Sequence, residues 1–84
     1  MPKPCKNTGE KNLIGANLVK FRKERHYSQR LLAYQLQLRG YDMDKNVITR
    51  IETSKRYVTD IELKALSEVL NVSYADLIDG KPEL

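Results

Sequence analysis

Apolar residues return at helical spacing in five separate stretches of this chain, each bounded by residues that start or stop helices. In the first, Ile14, Leu18 and Phe21 fall at i, i+4 and i+7, while Lys20, Lys23 and Arg25 take the wet side. The spacing predicts a helix from Leu13 with Asn12 as its N-cap. His26-Tyr27 marks the stop, and His26 is the residue expected to turn left-handed because no Gly or Asn is at hand. Ser28 is placed to cap a second helix, its hydroxyl accepting from a free backbone N–H two or three residues on. The inner face of that helix is Leu32, Ala33 and Leu36, it runs on through Leu38 or Arg39, and Gly40 ends it. Tyr41-Asp42-Met43 reads as a short turn. Asp44 caps a third helix whose inner residues are Val47, Ile48 and Ile51.

The polar, basic stretch from Thr53 to Val58 reads as a loop. Thr59 and Glu62 then stand at capping-box spacing for a fourth helix, packed through Leu63, Leu66 and Val69 or Leu70 and closed by Asn71. Ser73 and Asp76 open a short fifth helix, with Leu77 and Ile78 facing in and Gly80 and Pro82 ending it. No stretch alternates with the period of a strand. The expected class is all-α, a compact five-helix domain over 13–80, preceded by a flexible arm at 1–12 and followed by a tail at 81–84.

Length narrows the function. Eighty-four residues support one domain with a thin core, a poor scaffold for a catalytic cleft, so an enzyme is not expected. The lone Cys5 has no intramolecular partner and lies in the arm, where it reads as a bystander thiol and fits a reducing compartment. His26 is the only histidine, so ligands for a metal cannot be assembled, and no Gly-rich phosphate loop calls for a cofactor. With neither a long apolar run nor a signal-like N-terminus, the chain is expected in the cytoplasm and off the membrane.

The charge is polarised. Residues 1–58 carry 13 Lys or Arg against 5 Asp or Glu, whereas residues 59–84 carry 2 against 6. A basic body with an acidic end suits oriented binding to a polyanion better than uniform adhesion.

The sharper signal lies in the second and third helices. Ala33 is small enough to let another helix axis approach, and the larger Ile48 and Ile51 can cross over it. The outer face of the third helix then presents Lys45, Asn46, Thr49 and Arg50, with no acid between Lys45 and Arg50. Arg and Lys suit guanine, Asn suits adenine, and Thr suits several base edges or a thymine methyl. All four fall on one side of the helix and can enter one major groove.

At this point the sequence resembles the Cro and phage-repressor helix-turn-helix family, also called XRE-like or lambda-repressor-like, from about Ile14 to Ile78. The matching residues are Leu18, Phe21 and Arg22; Ser28-Gln29, Leu32-Ala33 and Leu36; Ile48-Thr49-Arg50-Ile51-Glu52; Lys55-Arg56; and Leu66, Asn71-Val72-Ser73 and Leu77. The resemblance implies that Lys45, Asn46, Thr49 and Arg50 read bases. It implies that Gln29, Thr53, Lys55 and Arg56 bind phosphates. Arg22 and Glu52 match a structural ion pair between the first helix and the end of the third. Three departures stand out: His26 in place of the usual Gly, Thr53-Ser54 where Asn-Gly is common, and about five extra residues between Leu36 and Glu52.

The function implied is a small transcriptional regulator, expected to be a repressor, that binds a double-stranded DNA operator as a homodimer. Val72, Tyr74 and Ile78 mark the region where the family often pairs. The alternative is a protein-interaction module of antitoxin or adaptor type, with a protein partner. Tyr57 is expected as a partly buried anchor of the loop, and Tyr27 and Tyr34 as rim residues.

Overall fold

A computed structural model describes residues 10–80, which form α1 (Gly15–Glu24), α2 (Gln29–Leu38), α3 (Lys45–Glu52), α4 (Asp60–Leu70) and α5 (Tyr74–Asp79). No strand occurs among them. The tail at 81–84, Cys5 and most of the arm expected at 1–12 lie outside the described residues. The helix starts follow the side chains that can accept from free N–H groups. Ser28 accepts from Leu31, Asp44 from Val47 and Ser73 from Asp76, and Thr59 and Glu62 complete a reciprocal capping box. Each such cap stabilises its helix by about 1 kcal/mol relative to alanine.

The apolar faces converge on one core. Leu18, Phe21, Leu32, Leu36, Ile48, Ile51, Leu66, Leu70 and Leu77 are fully buried within it. Met43 and Ala65 join them, although nothing in the short Tyr41–Met43 turn marked Met43 as a core residue. Two expectations fail. Ile78 is exposed on α5, because a helix of six residues turns only Leu77 fully inward. Tyr57 is 72% exposed, with the ammonium of Lys11 over its ring at 5.5 Å from the centroid.

Helices α1 to α4 each run into a residue with positive φ: His26, Gly40, Ser54 and Asn71. At the first three, the left-handed residue and its successor donate N–H bonds back to the last turn. His26 and Tyr27 bond to Lys23 and Arg22, Gly40 and Tyr41 to Gln37 and Leu36, and Ser54 and Lys55 to Ile51 and Arg50. These bonds close the last turn of each helix on its own carbonyls. His26 and Ser54 adopt the geometry despite carrying a Cβ, which strains the backbone at both.

The long connection between α2 and α3 is anchored. Gln37 donates its side-chain amide to the Met43 carbonyl, Met43 plugs into the core, and the Tyr41 hydroxyl donates to Glu68 of α4. Lys64 donates to the same carboxylate from one turn earlier. Those two hydrogen bonds hold the Glu68 carboxyl below its ordinary pKa, and the bond to Glu68 keeps the Tyr41 hydroxyl protonated to higher pH than usual.

Candidate nucleic-acid interface

The position of α3 is set first by main-chain packing. Gly15, in the first turn of α1, faces the end of α3 so closely that a Cβ there would stand 2.7 Å from the Ile51 carbonyl oxygen and 2.8 Å from Ser54 Oγ. The two backbones can approach this far only because that side chain is missing. Asn12 closes the same corner. Its Oδ1 accepts from the N–H groups of Ile14 and Gly15, so it caps the start of α1 although the helix proper begins later than Leu13. Its Nδ2 donates to the carbonyls of Ile51 and Arg56. The Lys11 N–H donates to the Ser54 carbonyl at 2.9 Å, so Lys11 and Asn12, counted above with the arm, are stitched to the exit of α3.

A chain of polar side chains fixes the rest. Arg22 of α1 grips Glu52 with two N–H groups, Nε to Oε2 at 2.6 Å and Nη2 to Oε1 at 3.2 Å, and Nη1 reaches the Tyr27 carbonyl at 2.8 Å. The two side chains are only 12% and 5% exposed. Gln29, at the start of α2, donates Nε2 to Glu52 Oε1 at 2.7 Å, and its Oε1 accepts from the Thr49 hydroxyl at 3.0 Å. Helices α1, α2 and α3 are thus joined by consecutive hydrogen bonds. Among the described residues no buried side-chain nitrogen or oxygen lacks a partner, so the polar groups drawn in here are all satisfied.

On the outer face of α3, Lys45, Asn46 and Arg50 are exposed and their side chains have no partner among the described residues, while Thr49 is half-buried. Arg30, Tyr34, Gln37 and Lys45 surround a shallow depression floored by Ala33, so the cationic face continues from α3 onto α2. Beyond the helix, Thr53 donates its hydroxyl to the Thr49 carbonyl as a C-terminal cap, and the Lys55 side chain is exposed. Arg56 is placed differently. Its guanidinium is paired with both Glu62 oxygens at 3.1–3.2 Å, bracing the capping box of α4. Of the four residues associated with phosphate binding, then, Lys55 alone has a side chain without a partner among the described residues. Gln29 and Thr53 make internal bonds, and Arg56 is held by a carboxylate.

Two helices joined by a turn, the second resting on the first and presenting a cationic outer face, make up a helix-turn-helix unit. The helix-turn-helix family profile matches residues 18–77. The chain belongs to the helix-turn-helix family. No curated protein matches the sequence. Among solved structures, the P22 c2 repressor in complex with a synthetic operator is 26% identical, with a TM-score of 0.68 over 83% of this chain and 98% of its own. The restriction-modification controller protein C.AhdI from Aeromonas hydrophila is 22% identical, with a TM-score of 0.67 over 76% of this chain and 86% of its own. The hypothetical transcription factor NHTF from Neisseria is 18% identical, with a TM-score of 0.71 over 93% of this chain and 83% of its own. These last two matches speak to the fold alone.

The helix-turn-helix pattern identifies the outer face of α3, but several residues that position it escaped the sequence reading. Gly15 left a signal in retrospect, since a glycine one turn before Leu18 on an apolar face often marks close helix packing. Ser54 also left one, standing where the family commonly places glycine. The commitment of Arg56 to Glu62 left none, because six residues across a loop and a cap have no fixed spacing.

Proposed function

We propose that the protein binds double-stranded DNA sequence-specifically as a small transcriptional regulator, with α3 lying in the major groove. One observation carries this reading. Lys45, Asn46 and Arg50 stand free of partners among the described residues on a helix whose other face is locked to α1 and α2. Free donors on an immobilised helix lose little conformational freedom on docking, which favours base readout over loose electrostatic attachment. Lys45, Asn46 and Arg50 take base edges with Thr49 beside them. Gln29, through the amide proton not given to Glu52, contacts phosphate together with Lys55, whereas the Thr53 hydroxyl contributes only by giving up its bond to the Thr49 carbonyl. Arg56 contributes least, being neutralised by Glu62.

The protein works as a homodimer. Leu13, Tyr57, Ile61, Tyr74 and Ile78 are exposed apolar residues along the α4–α5 side, lining two neighbouring depressions that share Asp60 and Leu63. A second copy of the chain covers them and presents two α3 helices to half-sites about one helical turn apart. Bound over a promoter, such a dimer represses by occlusion, in the cytoplasm where the DNA is. On this reading the protein is a regulator and not an enzyme. The antitoxin or adaptor alternative is not favoured by the family to which the chain belongs.

Selection from random duplexes, with molecular mass measured at the same protein concentration, tests both parts. The expected result is a two-fold symmetric site and a dimer mass. Arg50→Ala is expected to cost roughly 1–3 kcal/mol on that site and to relax preference at one base pair. Enrichment of no sequence, or equal binding by Arg50→Ala, sinks the reader assignment.

A further inference from the structure

The hydrogen bonds beneath α3 have a direction, and that direction reaches the DNA-facing surface. Glu52 accepts from the Arg22 guanidinium and is a carboxylate, so it has no proton to give. The Gln29 atom 2.7 Å from it must therefore be the amide nitrogen, and the other end of that amide is a carbonyl oxygen. That oxygen lies 3.0 Å from the Thr49 hydroxyl, which must donate. The second polar atom near Thr49 Oγ1 is the Lys45 carbonyl, also at 3.0 Å and also only an acceptor. A hydroxyl has one proton, and both inner neighbours compete for it.

From this polarity we infer that Thr49 enters the groove without a donor, as a hydrogen-bond acceptor beside a methyl group, and so selects against guanine at the base it faces. This rests on the reading of α3 as the recognition helix. In the major groove guanine offers only the acceptors N7 and O6, which would face an oxygen with no proton to share. The amino groups of adenine and cytosine can donate to it, and a thymine methyl can pack against its methyl. Arg22, Glu52 and Gln29 touch no base in this scheme. They act as positioning residues that, together with the Lys45 carbonyl, set the chemical sense of Thr49.

Two arms test it. The base pair facing Thr49 is located as the position whose preference changes in Thr49→Val, and the site is then titrated with each of the four bases there. The wild type is expected to bind the guanine variant about 5- to 10-fold more weakly than the adenine or cytosine variant, the size of one hydrogen bond lost. In Gln29→Met, which keeps the volume, the Lys45 carbonyl still takes the Thr49 proton, so that penalty is expected to shrink by no more than about half while overall affinity drops equally for all sites. Guanine preferred by the wild type, or by Gln29→Met, overturns the inference. The second arm needs no DNA: in NMR spectra of the free protein, the Thr49 hydroxyl proton and one Gln29 amide proton should be protected from exchange. A freely exchanging Thr49 hydroxyl also overturns it. If no duplex is ever enriched, the DNA-binding reading fails by itself, and the exchange data still decide the polarity.

Discussion

Two arginine–glutamate pairs flank the exit of α3, and they are built alike: each guanidinium grips both oxygens of its partner. Arg22–Glu52 lies almost out of solvent, at 12% and 5% exposure, and passes its order on through Gln29 to Thr49. Arg56–Glu62, at 29% and 16%, ends at a helix cap and leads no further. The difference is one of reach: one guanidinium orders side chains beneath α3, and the other is held at the start of α4. On the proposed reading of α3, the first pair orients the DNA-facing side chains from behind, and the second holds its positive charge against a carboxylate.

The largest effect that separates the pairs is expected from Glu52→Ala. Leaving the Arg22 guanidinium nearly buried without its carboxylate should cost about 3 kcal/mol in urea unfolding. A loss below about 1 kcal/mol would mean that the two pairs are equivalent. Glu62→Ala is the matched change at the outer pair. It removes the reciprocal bond of the capping box and a partly solvated ion pair, together about 1 kcal/mol, and should leave base preference intact.

Smaller and more discriminating is the salt dependence of DNA binding. Lys55→Ala should flatten the slope of log K against log salt by about 0.9, the share of one phosphate contact. Arg56→Ala should leave it nearly unchanged because Glu62 already neutralises that charge. Equal slopes for the two variants would restore Arg56 to the phosphate-binding set. Smallest is Ser54→Gly in the turn between the pairs. Relief of left-handed strain should outweigh the added freedom of the unfolded chain and stabilise the protein by about 0.5–1 kcal/mol, read as a raised Tm. Ser54→Val, with a branched side chain at the same φ, should move Tm the other way.

The parts of this architecture that depend on local rules could be read along the chain. Ser28, Asp44, Thr59 and Ser73 cap the helices they were expected to cap, and His26, Gly40 and Asn71 turn left-handed where the helices stop. The apolar periods located Leu18, Phe21, Leu36, Ile48, Ile51 and Leu66 in the core. Such signals are written within a few residues of their effect. Met43 was missed because a buried residue in a short turn is a product of where the chain must go next, not of any period. Tyr57 was misplaced for the converse reason: an aromatic ring in a loop is buried only if a neighbouring element covers it, and here the ring stays 72% exposed with Lys11 over it. At the interface, the outer residues of α3 followed from helical geometry. The links from Asn12 to Ile51 and Arg56, and from Gln29 to Thr49, cross about 20 to 44 residues of chain and follow from tertiary packing alone.

The contact at Gly15 has a consequence for how such a protein could change its target. Where two helices are spaced by interlocking side chains, every core substitution alters their separation a little, and a recognition helix spaced that way would drift with each one. Here α3 is gauged against main-chain atoms, which no substitution elsewhere in the core replaces. The crossing serves as a datum, in the machinist's sense: a fixed reference from which other distances are measured. If α3 lies in the major groove as proposed, Lys45, Asn46 and Arg50 can be exchanged for other side chains in nearly constant register with it. New sequence preferences become accessible by single steps at the surface without the interior having to be rebuilt.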